Sequence, residues 1–158
     1  MVIQRWQSVL LLIAGVMMAC FTFASLGQVQ LPQYSLNFTT FGFEIEGQST
    51  GSALSGYVMY TWPMFCVSLL ATLLPLINIF LYRNLPLQKM VCLIEVLFIL
   101  AAVGIGCFFG YQSFADQGAY VSWSSIIIAP LLAFFADMFA YYRINNDYKL
   151  IRAADRIR

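Results

Sequence analysis

The run "KMVCLIEVLFILAAVGIGCFFG", residues 89–110, is apolar from Met90 onward except for one carboxylate, Glu95. A bilayer core about 30 Å thick is crossed by about 20 residues rising 1.5 Å each, so this run is long enough to span it. Three more runs have the same character: Ser8 to Leu26, Pro63 to Tyr82 and Trp123 to Tyr142. Of the 158 residues, 61% are hydrophobic, 9% are charged and none is His. Soluble domains carry about 25% charged residues, so the solvent expected for most of this chain is lipid. The reading is an all-α membrane protein, a bundle of four transmembrane helices forming one domain over residues 1–158. Its helices are placed at about 8–26, 63–82, 90–110 and 123–142, with an outer loop at 27–61 and a cytoplasmic tail at 143–158.

The basic residues set the orientation. Arg5 precedes the first helix, Arg83 and Lys89 lie between the second and third, and Arg143, Lys149, Arg152, Arg156 and Arg158 follow the fourth. Residues 27–61 and 111–122 contain no Lys or Arg. The positive-inside rule then places both termini, and the connection between helices 2 and 3, in the cytoplasm. The net charge of +1 gives no reason to expect nucleic acid as a partner. Arg5 before an apolar run and "TFASLG" imitate a signal peptide, and "VMMAC" imitates a lipoprotein cleavage site. The first helix is expected to be a retained anchor instead. Aromatics flank the runs as interfacial belts do: Trp6, Tyr82, Tyr141 and Tyr142 inside; Tyr57, Tyr60, Trp62, Tyr111, Tyr120 and Trp123 outside.

In "QYSLNFTTFGFEIEG", Tyr34, Leu36 and Phe38 alternate with polar residues, and Phe41, Phe43 and Ile45 alternate in the opposite phase. This predicts a small β-hairpin-like outer loop between helices 1 and 2, or one bulged strand, with an apolar face that helix ends or a partner must cover. "GQSTGSALSG", residues 47–56, reads as a flexible connector. Thr61 and Pro63 suit the start of helix 2, while Pro75 and Pro130 predict bends within helices 2 and 4. The tail has Ile144, Tyr148, Ile151 and Ala154 at helical spacing, so it either prolongs helix 4 or lies on the inner leaflet.

Helix 3 carries Ala102, Gly106 and Gly110 spaced by four, and at about 100° per residue Glu95 falls near the same face. Ala129, Ala133 and Asp137 repeat the pattern on helix 4, and Gly15 and Ala19 on helix 1. Small residues let membrane helices approach closely, so both acids are expected to face the bundle. Each lies about 9 Å inside its basic flank, and Asn78 on helix 2 reaches a similar depth. A charge in the bilayer costs about 3 kcal/mol unless it is paired or hydrated. The expected intramembrane polar cluster of Asn78, Glu95 and Asp137 is read as a clamp fixing helix register. The competing reading is a small ion, proton or lipid-binding carrier using Glu95 and Asp137. Cys20, Cys66 and Cys107 near the outer helix ends are expected to be free thiols, with a disulfide between two of them as the alternative.

Without His there is no Ser-His pair and no His-ligated metal. C-x-x-C motifs and phosphate-binding glycine loops are absent too. No catalytic residues, cofactor or metal are expected, and no enzymatic activity.

Three segments carry a resemblance: "IQRWQSV" at the start, "YRNLPLQ" at 82–88 and "DMFAYYRINNDYKLIRAADRIR" at the end. The chain resembles a family of small bacterial four-helix integral membrane proteins catalogued only as a domain of unknown function. The resemblance implies a bacterial inner membrane and singles out Gln4, Arg5, Arg83, Pro86, Leu87, Gln88, Asp147, Lys149, Leu150, Asp155, Arg156 and Arg158. These positions share the cytoplasmic side, where Arg5, Arg83, Asp147 and Asp155 would pair to close the bundle base. The layout is also similar to claudin-like proteins, whose paired-Cys loop motif is missing here. The expected function is a non-catalytic accessory or scaffold subunit, with the lipid bilayer and a membrane-protein partner or second copy as its contacts.

Overall fold

Four helices form where the apolar runs lie, and the computed structural model describes residues 2–31, 35–46, 56–82, 84–112 and 120–155. They are α1 (Val2–Phe23), α2 (Trp62–Phe80), α3 (Leu85–Gln112) and α4 (Ile128–Asp155). All four are long and apolar enough to cross a membrane. α1 packs on α2 and α4, and α3 on the same two helices, which makes a four-cornered bundle. One stripe of each helix faces inward, as periodicity demands. In α3 it runs Gln88, Cys92, Glu95, Ile99, Ala102, Gly106 and Gly110. In α2 it runs Met64, Ser68, Ala71, Thr72, Pro75 and Asn78. The opposite faces present Phe80, Leu97 and Phe139 to the surroundings.

The helix ends differ from expectation in informative ways. α3 begins at Leu85 rather than residue 90, with Pro86 in its first turn, where a fixed φ favours the helix. α4 begins at Ile128 rather than Trp123, because residues 120–123 form a strand and Ser125–Ile127 a 3₁₀ turn. Pro130 therefore sits in the first turn of α4 and is not an interior kink. Pro75 does lie inside α2, which continues through it. The tail prolongs α4, giving a helix of 28 residues. At 1.5 Å per residue that is about 42 Å, longer than a hydrocarbon core.

The β structure is larger than the expected hairpin. Five antiparallel strands, β1 (Gly27–Gln30), β2 (Ser35–Phe38), β3 (Gly42–Glu46), β4 (Tyr57–Tyr60) and β5 (Tyr120–Trp123), lie in the order β4-β3-β2-β1-β5. β2 and β3 are the hairpin read from the alternating residues, with Phe38 opposite Phe43. Thr39 and Gly42 close its turn with reciprocal main-chain hydrogen bonds of 2.9 and 3.2 Å. β5 comes from the connection between α3 and α4 and pairs Gly27 with Trp123. The connector at 47–55, and Tyr34, lie outside the described residues.

The sheet's apolar face is covered by the helix ends of the same chain. Val29, Leu36, Phe38 and Phe43 are buried in one core with Phe21, Leu26 and Met64. Phe38 stacks on Phe43 at 4.5 Å, and Trp123 meets Phe38 edge-on at 6.1 Å. Trp123 thus faces inward rather than serving as a belt residue; Tyr60, Trp62, Tyr111 and Tyr120 are exposed. A chain of hydroxyls fastens the hairpin to the helices. Thr40 donates to the Thr22 carbonyl at 2.5 Å, Thr61 to the Thr40 carbonyl at 2.8 Å, and Thr22 to the Met18 carbonyl at 2.8 Å. The small-residue stripe of α3 receives side chains: a methyl group added at Gly106 would meet Met64, and one at Gly110 would meet Trp123.

Candidate functional site

At the end of the bundle away from the sheet, α2, α3 and α4 bring polar side chains into the core. Asn78, Glu95 and Asp137 are fully buried, and Gln88 is 1% exposed. Helix periodicity accounts for their convergence: Gln88, Cys92 and Glu95 follow at intervals of four and three on α3, and Asp137 lies on the same α4 face as Ala133, Ala140 and Ile144. Apolar packing closes both sides. Ala14, Ile99, Ala102, Ala133 and Ala136 lie toward the sheet, and Leu11, Ala140 and Ile144 lie toward the tail.

The hydrogen bonds are one-sided. Asn78 donates through Nδ2 to the Gln88 carbonyl at 3.4 Å and to Cys92 Sγ at 3.2 Å. Gln88 donates through Nε2 to the Asn78 carbonyl at 3.4 Å. A main-chain carbonyl only accepts, so the two carbonyl contacts fix which end of each amide is nitrogen. The oxygens are left over: Asn78 Oδ1, Gln88 Oε1 and both oxygens of Glu95 and of Asp137 have no hydrogen-bond partner among the described residues. Asn78 and Asp137 both lie within loose hydrogen-bonding reach of the Glu95 carboxyl, so the two acids and the amide form one group. Such atoms normally find partners, and each orphan costs about 1–3 kcal/mol. The contrast with the sheet end, where Thr22, Thr40, Thr61 and Thr72 all bond, is sharp.

Below the cluster the bundle base is closed by polar contacts. Gln7 of α1 donates to Asp147 of α4. Lys89 donates to Asn145 at 2.8 Å and lies over the Tyr141 ring at 5.4 Å. Gln7 reaches Asp147 because it shares the buried α1 stripe of Leu11, Ala14 and Met18. Arg83, Arg156 and Arg158, and the side chains of Gln4, Arg5 and Asp155, lie outside the described residues. Pro86, Leu87, Lys149 and Leu150 are exposed.

Sequence reading separated two groups that the structure joins. Gln88, a cytoplasmic motif position by resemblance, is buried and hydrogen-bonded to Asn78, and its place on the inward stripe, seven residues from Glu95, is the available signal. Cys92 lies between them on the stripe and accepts from Asn78. All four cysteines are free, with Cys92 buried and Cys20, Cys66 and Cys107 exposed. Among the described residues no three His, Cys, Asp or Glu side chains gather into a metal-ligating set.

These features define a class: four helices long and apolar enough to cross a membrane, capped at one end by a five-stranded antiparallel sheet, with an oxygen-rich cluster buried near the other. Residues 3–157 match the family described as Domain of unknown function (DUF4293), and the chain belongs to that family. A comparison with curated proteins finds no match.

Proposed function

We propose that this chain is a multi-pass protein of the bacterial inner membrane, with both termini cytoplasmic, serving as a non-catalytic accessory or scaffold subunit of a membrane assembly. The observation that carries the reading is the sealing of the polar cluster: its side chains are at most 1% exposed, with apolar packing on both sides. A group that reacts with or passes a substrate needs access to it, whereas a sealed cluster serves the bundle itself. Apolar side chains such as Phe80, Leu97 and Phe139 on the helix exteriors suit a lipid surround. Lys89, Arg143, Lys149 and Arg152 gather at the end opposite the sheet, in line with a cytoplasmic base. The sheet ends at β4 and β5, where Val58, Tyr60 and Tyr120 are exposed, offering strand edges to a partner on the other side.

Crosslinking the tagged protein in its native membrane, followed by mild extraction and mass spectrometry, tests the assembly. A stoichiometric membrane-protein partner supports it; recovery of this chain alone overturns it. Labelling of single cysteines placed at Asn84 and at Ser122, in a background with the native cysteines replaced, tests the orientation, with only the second reacting with an impermeant reagent supplied outside.

The four unpartnered carboxylate oxygens favour a second reading, a small ion or proton carrier using Glu95 and Asp137. Under it, Glu95→Gln or Asp137→Asn abolishes flux in vesicles while the protein still accumulates and folds.

A further inference from the structure

We infer that Glu95 of α3 and Asp137 of α4 form a carboxyl pair that keeps at least one proton at neutral pH, and that this proton is the hydrogen bond latching the two helices together. Both side chains are fully buried. Glu95 lies between Cys92 and Ile99 on the inward stripe of α3, Asp137 shares an α4 face with Ala133 and Ala140, and α3 packs directly on α4. Each acid is within loose hydrogen-bonding reach of the other. Two ionised carboxylates are acceptors only, so a hydrogen bond between them requires a proton on one.

The groups around the pair do not replace that proton. α2 contributes the Asn78 amide, which is uncharged and donates also to Cys92 of α3. Cys92 is titratable and buried here too, but a thiol is never positive. α1 contributes Leu11 and Ala14. Lys89 is turned to Asn145 and the Tyr141 ring, and Arg143 is exposed, so no cation among the described residues balances the acids. Two carboxyls sharing an apolar site relieve their repulsion by retaining a proton, because both cannot ionise side by side. Losing it leaves facing anions inside a bundle surrounded by lipid, which drives α3 from α4. The latch therefore holds at neutral pH and opens as pH rises. This deepens the reading of the cluster as a sealed part of the bundle and needs no partner, so the outcome of the crosslinking does not bear on it.

The test is infrared spectroscopy of the purified full-length protein in mild detergent at neutral pH. A protonated carboxyl has a carbonyl stretch that stands apart from the amide and carboxylate bands, and exposed acids such as Glu44 are ionised under these conditions. The expected result is a protonated-carboxyl band from the wild type. Glu95→Gln and Asp137→Asn are the companions. Each puts an amide N–H where the acid proton was, so the helices stay joined while the band is displaced or lost. Because either variant can fail to fold, the wild type is also carried to alkaline pH, where the band and the thermal unfolding midpoint should fall together. No band at neutral pH, a band unmoved in both variants, or a band lost with no fall in the midpoint would overturn the inference.

Discussion

The glycines offer a graded test of how tightly the sheet and helices fit. An alanine Cβ at Gly27 would lie 2.5 Å from the Ser122 carbonyl oxygen, whereas ordinary contact begins at 3.4 Å. That oxygen is main chain, held where β1 pairs with β5, so relief requires parting the strands. At Gly110 the added methyl would lie 2.4 Å from Trp123, whose ring is packed against Phe38 and Tyr111 and must move as a body. At Gly106 the obstacle, at 2.8 Å, is the terminal methyl of Met64, which rotates aside. Gly104 faces open space. Overpacking costs about 1–3 kcal/mol, and Gly to Ala within a helix returns about 1 kcal/mol. Gly27→Ala, which has no helical gain, is expected to lose about 3 kcal/mol and Gly110→Ala about 1–2 kcal/mol. Gly106→Ala should be near neutral, and Gly104→Ala stabilising by up to about 1 kcal/mol. Thermal unfolding in mild detergent, followed by circular dichroism, ranks the four. A Gly27→Ala protein as stable as wild type, or a Gly106→Ala protein less stable than Gly27→Ala, would refute the packing argument.

Other substitutions probe the remaining contacts. Thr40→Val removes the hydroxyl bonded to the Thr22 carbonyl and should destabilise by about 1–3 kcal/mol in the same unfolding assay. A double-mutant cycle on Lys89 and Asn145 should give a coupling below about 1 kcal/mol, since Lys89 is only part-buried and solvent weakens the contact. Gln7→Leu removes the donor to Asp147 at the bundle base and should cost more than Lys89→Met when the two are compared by unfolding midpoint. Alkylation in the native state should spare Cys92, which is buried, and denaturation should raise the count of modified thiols to four with or without prior reductant, as expected for free cysteines. A reductant-dependent count would contradict the four free thiols.

Sequence carried the bundle because its driving force is local. Apolar length fixes which segments are helices, and a period of 3.6 fixes which face of each turns inward. Glu95 and Asp137 could be assigned to the interior from their spacing to Ala102 and Ala133, and the β2–β3 hairpin from alternation alone. The strands β1, β4 and β5 were harder. "GQVQ" and "YVMY" are too short for a decisive period, and Trp123 looks like a membrane-interface residue until its partner is known. Their pairing joins residues far apart in sequence, and a strand gains its hydrogen bonds only from such a neighbour.

The site divides along the same line. Composition and helical spacing determined that polar groups on α2, α3 and α4 lie in the core at a common depth. Only the tertiary structure decided which atoms of those groups meet. Gln88 joins Asn78, Gln7 meets Asp147, and the amide nitrogens turn to main-chain carbonyls. A helix sets the direction in which each side chain points, but the packing of three helices sets what it finds there.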